Sequence, residues 1–139
     1  MVNNTSSAHI LTDSVDKVSD RPSEFDLTEA GFYQPIERSL MQIQAQFDGY
    51  QKTCFQERPS EFFALELCGE AGELANLEKK RWKGKIIKPE DISDEAADVL
   101  IALMNFANAS GINLGEAVRI KLLRIEQTRQ SLAAEGKAY

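Results

Sequence analysis

Two acidic pairs, Glu70-Ala-Gly-Glu73 and Glu95-Ala-Ala-Asp98, sit inside segments whose other residues are apolar at helical spacing. Residues three apart share one face of a helix, so each pair sends two carboxylates in the same direction. Ionised carboxylates are costly to bury near one another unless a cation or a donor compensates them. A chain with this pattern must therefore turn the pairs to solvent, keep some of the carboxyls protonated, or fold so that they meet around a positive charge. Four converging carboxylates would make the hard, oxygen-rich cage that magnesium or manganese prefers.

The rest of the pattern is helical. Leu40, Ile43, Phe47 and Tyr50 recur at three- and four-residue steps and predict one apolar helix face. Arg58-Pro59-Ser60 breaks the pattern, with Pro59 suited to a first helical turn. Glu61–Trp82 reads as a second helix through Phe62, Leu65, Leu67, Cys68, Ala71, Leu74 and Leu77, ending in the basic run Lys79–Lys85. Asp91 or Ser93 is the expected N-cap of a third helix, about Asp94–Ala109. Its core, Val99-Leu100-Ile101-Ala102-Leu103-Met104, is apolar nearly all round and predicts burial on most sides. Ser110-Gly111 ends it, and Asn113 opens a fourth helix running through Val118, Leu122 and Ile125 towards Leu132. No strand pattern interrupts them. The expected fold is all-α, a bundle of about four main helices in residues 36–139, completed by self-association because three or four helices leave the third under-covered. Residues 1–35 are polar, contain Pro22 and Pro35, and read as a flexible N-terminal arm. A short helix near Leu11–Val18, or docking on a partner subunit, are the alternatives there.

Charge and length remove several classes of function. With 139 residues, a net charge of -6 and pI near 4.9, the surface does not suit coating a nucleic acid. A phosphate ligand stays open, because a divalent ion reverses the local sign of a carboxylate site. No apolar run reaches the roughly 20 residues that span a bilayer, so no membrane partner is expected. The first residues lack the basic-then-apolar order of a signal peptide, and a cytoplasmic location is the expectation. Cys54 and Cys68, with no CxxC and the single histidine at position 9, read as reduced packing residues. The same shortage of histidine argues against a ferritin-like di-iron bundle, which needs Glu-x-x-His pairs.

Glu66, Glu70 and Glu73 share a stripe with Lys80 on the second helix, as do Glu95, Asp98 and Asn105 on the third. Facing antiparallel, the two stripes would set acids against acids. Leu65-Glu66-Leu67-Cys68-Gly69-Glu70-Ala71-Gly72-Glu73-Leu74, then Asp94-Glu95-Ala96-Ala97-Asp98-Val99-Leu100 after a 21-residue gap from Glu73 to Glu95, resembles the MazG-like all-α nucleoside triphosphate pyrophosphohydrolases. Gly111-Ile112-Asn113-Leu114-Gly115-Glu116-Ala117 and Lys121 are similar to the family's continuation, so the likeness covers about Phe47 to Arg129. It departs on the last helix, where Ile125 and Thr128 follow Lys121 in place of the Asn and Arg the family often carries. It departs again at Gly69, where the family often has a second Glu.

The resemblance implies magnesium-dependent cleavage of a (deoxy)nucleoside triphosphate to monophosphate and pyrophosphate, in the housekeeping of nucleotide pools, by a homodimer or homotetramer. It implies Glu70, Glu73, Glu95 and Asp98 as ligands of Mg2+, or of Mn2+. Glu66, one turn from Glu70, is the candidate to orient or deprotonate water, or else it holds a surface lysine. Lys121 is the candidate phosphate contact, with Lys80 and Arg124 behind it and Arg129 as a further substitute. Trp82 is a candidate to stack on a base, or packs as core or interface, and Asn105 is a candidate to hydrogen-bond a base edge. The reading from another class is a catalytically silent helical module, sensing nucleotides or binding a partner, which the altered last helix favours.

Overall fold

Pro35, Pro89 and Asn113 set where three of the four helices begin in the computed structural model, which describes residues 26–139. The short helix expected at Leu11–Val18, and the arm as far as residue 25, lie outside the described residues. A π-helical turn, Glu29–Tyr33, comes first, and the Thr28 hydroxyl caps it by accepting from the Gly31 N–H at 3.0 Å. Then follow α1 (Gln34–Cys54), α2 (Ser60–Trp82), α3 (Pro89–Ala109) and α4 (Leu114–Ala134). Among the described residues there is no strand, and the all-α, four-helix architecture expected from the periodicity is the one present.

The helix ends follow backbone chemistry. Gly84 and Gly111 take φ of +82° and +67°, the left-handed conformation that glycine adopts without penalty. The chain then folds back, with Lys85 N–H donating to the Lys80 carbonyl at 3.1 Å and Ile112 N–H to that of Ala107 at 2.8 Å. Asn113 caps α4, its side chain accepting from Glu116 N–H at 3.1 Å. The start of α3 differs from expectation. Pro89 opens the helix with its fixed φ, so Asp91 lies in the first turn and the Ser93 hydroxyl donates to the Pro89 carbonyl instead of capping.

α2 packs along α3, α1 packs along α4, and α1 also reaches α3. The joint between the pairs is polar. Gln44, buried on α1, donates from Nε2 to the Asn108 Oδ1 at 2.8 Å and to the Ile112 carbonyl at 2.7 Å. Its Oε1 accepts from Leu114 N–H at 2.9 Å. One amide thus ties α1 to the end of α3, the turn and the start of α4. The inner face of α1 is therefore centred on Gln44, with half-buried Leu40 and Phe47 beside it. Ile43 and Tyr50, expected on that face, are 50% and 54% exposed.

α4 crosses α1 closely at Gly115, where an added Cβ would collide with the Glu37 carbonyl oxygen and meet Met41 Cγ at 2.7 Å. Arg119 braces the crossing, pairing with Glu37 at 3.1 Å and with Glu29 at 3.4 Å. The helical part of the chain therefore starts before Ile36, and Tyr33 is only 4% exposed. α3 is not buried on most sides within one chain. Ala102, Met104, Asn105 and Ala107 are covered, whereas Leu100 and Ile101 stay exposed. Cys54 and Cys68 are free and exposed, not packing residues. No helix among the described residues is long and apolar enough to cross a membrane.

Replacing Gln44 by Leu strands the groups it serves at the α3–α4 turn. An unsatisfied buried donor or acceptor costs about 1–3 kcal/mol, so we expect Gln44→Leu to lose about that much in urea unfolding, with the slope unchanged. A stability equal to the parent's would show that the joint is held by packing alone.

Candidate metal centre

The positions of α2 turned from solvent include Phe63, Leu67, Glu70, Leu74 and Leu77, and those of α3 include Ile92, Glu95, Val99, Ala102 and Phe106. Both sets alternate steps of three and four, the seam by which paired helices interlock. Each seam carries one carboxylate among apolar side chains. Glu70 and Glu95 are consequently half-buried, while Asp98 stands at the exposed edge. One oxygen from each of Glu70, Glu95 and Asp98 lies within 4.8 Å of the others.

The electrostatics follow from that placement. Loss of hydration pushes the Glu70 carboxyl above its ordinary range, and the charges of Asp98, Glu73, Glu95 and Glu66 push it further. Glu95 is raised in the same way, by lost hydration first, then by Glu73, Asp98, Asp94 and Asp91. Glu73 is itself exposed, outside the group of three oxygens, yet its charge acts on both seam carboxyls. Among the described residues no ion pair joins Glu70, Glu95 or Asp98 to a lysine or arginine. The donor set, all anionic oxygen, fits a hard divalent ion such as magnesium or manganese and not a soft one.

A small cavity of about 100 Å³ adjoins the cluster, lined by Glu66, Glu70, Asp98 and Asn105 with Phe62, Phe63, Ile101 and Ala102. Glu66 is exposed at its rim. Asn105 lies deeper, only 9% exposed, and its Oδ1 has no hydrogen-bond partner. A larger cavity of about 200 Å³ shares Phe63 and Asn105 and extends to the loop between α1 and α2.

The cationic and aromatic candidates stand elsewhere in the chain. Lys80 is half-buried near the end of α2, and Trp82, the last residue of that helix, is 85% exposed. Lys121 and Arg124 are exposed on α4, which packs on α1, a different helix pair from the acids. None of the four lines either cavity. Arg129 is engaged by Glu126 through two hydrogen bonds of 2.7 and 2.6 Å, which hold the Glu126 carboxyl down to about 2.

Gln44 and Phe63 were not singled out from the sequence. Phe63 was hidden because Phe62 beside it is also aromatic, and only the step to Leu67 and Glu70 assigns Phe63 to the seam. Comparison with models of protein families, with characterised proteins and with solved structures gives no match to this chain.

A carboxyl whose pKa is raised by folding opposes folding when ionised, so stability falls as pH rises from the ordinary value of 4.5. Removing the charge should relieve that. We expect Glu70→Gln and Glu95→Gln to melt higher than the parent in chelator, and to lose the rise in Tm that magnesium gives the parent. A parent whose Tm ignores magnesium and manganese at millimolar concentration would defeat the metal assignment.

Proposed function

We propose that the protein is a magnesium-dependent nucleoside triphosphate pyrophosphohydrolase, cleaving (deoxy)nucleoside triphosphates to monophosphate and pyrophosphate in the upkeep of nucleotide pools. The observation that carries this reading is the meeting of Glu70, Glu95 and Asp98 oxygens within 4.8 Å across the α2–α3 seam. The sequence context of those acids, which resembles the MazG-like enzymes, supplies the reaction class. Magnesium held by Glu70, Glu95 and Asp98, with Glu73 beside them, would neutralise triphosphate charge and lower the pKa of bound water.

The chain's own groups have the remaining tasks. Glu66 lines the same cavity as Glu70 and Asp98, which puts a carboxylate where it can take the proton of an attacking water. Water adds at the α-phosphorus, the bond from that phosphorus to the bridging oxygen breaks, and pyrophosphate leaves with that oxygen. The apolar seam residues around Glu70 and Glu95 hold the two carboxylates in fixed positions, which a solvated helix face does not do. On this reading the exposed Leu100 and Ile101, together with Leu65 at 72% exposure, are surfaces for self-association into a homodimer or homotetramer. Lys121 and Arg124 are then phosphate contacts only if a second subunit brings them to the acids.

The second reading, a catalytically silent helical module, is favoured by the placement of the α4 cations on a different helix pair from the acids. Product analysis separates the two. Incubating a panel of dNTPs and NTPs with magnesium should yield monophosphate and pyrophosphate in equal amounts. Glu73→Gln and Asp98→Asn should each lower turnover by about 100-fold or more, as befits loss of a group at the metal. No turnover across the panel, with nucleotide still bound, would establish the silent module instead.

A further inference from the structure

Six of the 16 lysines and arginines, and none of the 22 acids, fall within Lys79–Lys88. These residues form the tip of the α2–α3 hairpin. Gly84, at φ +82°, turns the chain so that Lys85 N–H reaches back to the Lys80 carbonyl at 3.1 Å. Arg81 pairs with Glu78 at 2.6 Å. Among the described residues Lys79, Lys80, Lys83, Lys85 and Lys88 enter no ion pair. The negative end of α2 accounts for the cations of its last turn and for Lys83 at its C-cap. It does not account for Lys85 or Lys88. Lys88 is the N-cap residue of α3, at the positive end of that helix, where a cation is unfavourable.

The same tip holds the two most exposed large apolar side chains among the described residues, Trp82 at 85% and Ile86 at 98%. One exposed apolar residue is ordinary on a protein surface. Two of them set among five unpaired lysines are the pattern of a surface that meets both hydrocarbon and negative charge. We propose that the α2–α3 tip docks the protein on an anionic lipid bilayer. Lysines near such a surface are drawn to its headgroups. Tryptophan settles at the boundary between water and hydrocarbon, and an aliphatic side chain enters the acyl edge beneath it. Charge and insertion together supply the two signals that stable anchoring takes. The rest of the chain is strongly acidic, so it is repelled by the bilayer and the molecule approaches tip first.

No helix among the described residues can cross a bilayer, and lying against one needs no such helix. The expectation of no membrane partner is thereby narrowed to spanning. A nucleic-acid strand fits the tip less well, because bases stack on aromatic rings and gain little from Ile86. Trp82 lies about 18 Å along α2 from Glu70, so docking and the metal centre stand or fall separately.

Trp82 is the chain's one tryptophan, so its emission reports on the tip without a label. The test titrates the full chain with vesicles of phosphatidylcholine alone, with an equal mixture of phosphatidylcholine and phosphatidylserine, and with oligouridine. The mixed vesicles should shift Trp82 emission to the blue and bind about tenfold or more tighter than phosphatidylcholine alone. High salt should weaken that binding. Lys83→Gln combined with Lys85→Gln should weaken it about tenfold or more, and Ile86→Ser by about tenfold. Lys121→Gln combined with Arg124→Gln removes the same charge from α4 and should change it far less. All five positions are exposed, so each variant should melt like the parent.

No blue shift with mixed vesicles would overturn the proposal, as would an equal loss from the α4 pair. A response of Trp82 to oligouridine with none to vesicles would overturn it in favour of a nucleic-acid surface.

Discussion

The bundle depends on a polar joint. Mostly apolar helix seams alone tolerate sliding by a turn, and α1 meets α3 and α4 instead around polar groups. Gln44 removes that freedom, because its three hydrogen bonds are satisfied at one register only, against Asn108, the Ile112 carbonyl and the Leu114 N–H. Gly115 completes the constraint, since α4 reaches α1 only where no Cβ intervenes. The position of α1 over the end of α3 then fixes the loop from Phe55 to Pro59. Residues of that loop line the larger cavity together with Asn105, so the shape of that cavity depends on the joint.

The α2–α3 pair carries the opposite kind of polar group. A carboxylate in each seam weakens the packing that leucine or alanine would give, and the two repel. Fold stability offers no reason to place Glu70 and Glu95 there, while a bound cation turns the repulsion into attraction. Conflict between a local rule and the global fold is characteristic of sites selected for function. Asn105 is a second local defect, a buried amide oxygen without a partner, nearly three turns beyond Glu95 along α3. Glu70 and Asn105 line one cavity, although Glu95 does not.

Much of the fold was legible because periodicity and end signals agree. Pro59, Gly111 and Asn113 mark the limits of helices that the apolar steps already outline. The register within each helix was harder to read. On α1 the apolar residues Ile43 and Tyr50 suggested a face that the structure leaves to solvent, because a glutamine with three partners outweighs two hydrophobic side chains. On α2 the sequence offers apolar residues on several faces. Phe62 and Leu65 look as good as Phe63 and Leu67 until α3 chooses between them. The acids were legible through their spacing, but their split into two seam carboxylates, one edge carboxylate and exposed Glu73 was not. That split depends on how two helices twist around each other, which spacing along one chain does not encode.

Charge also sets an order of events at such a site. The chain is negative overall, at -6, and among the described residues no lysine or arginine pairs with the acids of the cluster. A bare triphosphate approaching Glu70, Glu95 and Asp98 meets repulsion at close range, where screening by salt is weakest. Phosphate can settle there only after, or together with, a divalent ion. The larger cavity differs, being lined by charges of both signs, Asp48 and Glu57 with Lys52 and Arg58. On the proposed reading, the charge of the acid cluster therefore makes the divalent ion the first requirement of the site, before any phosphate.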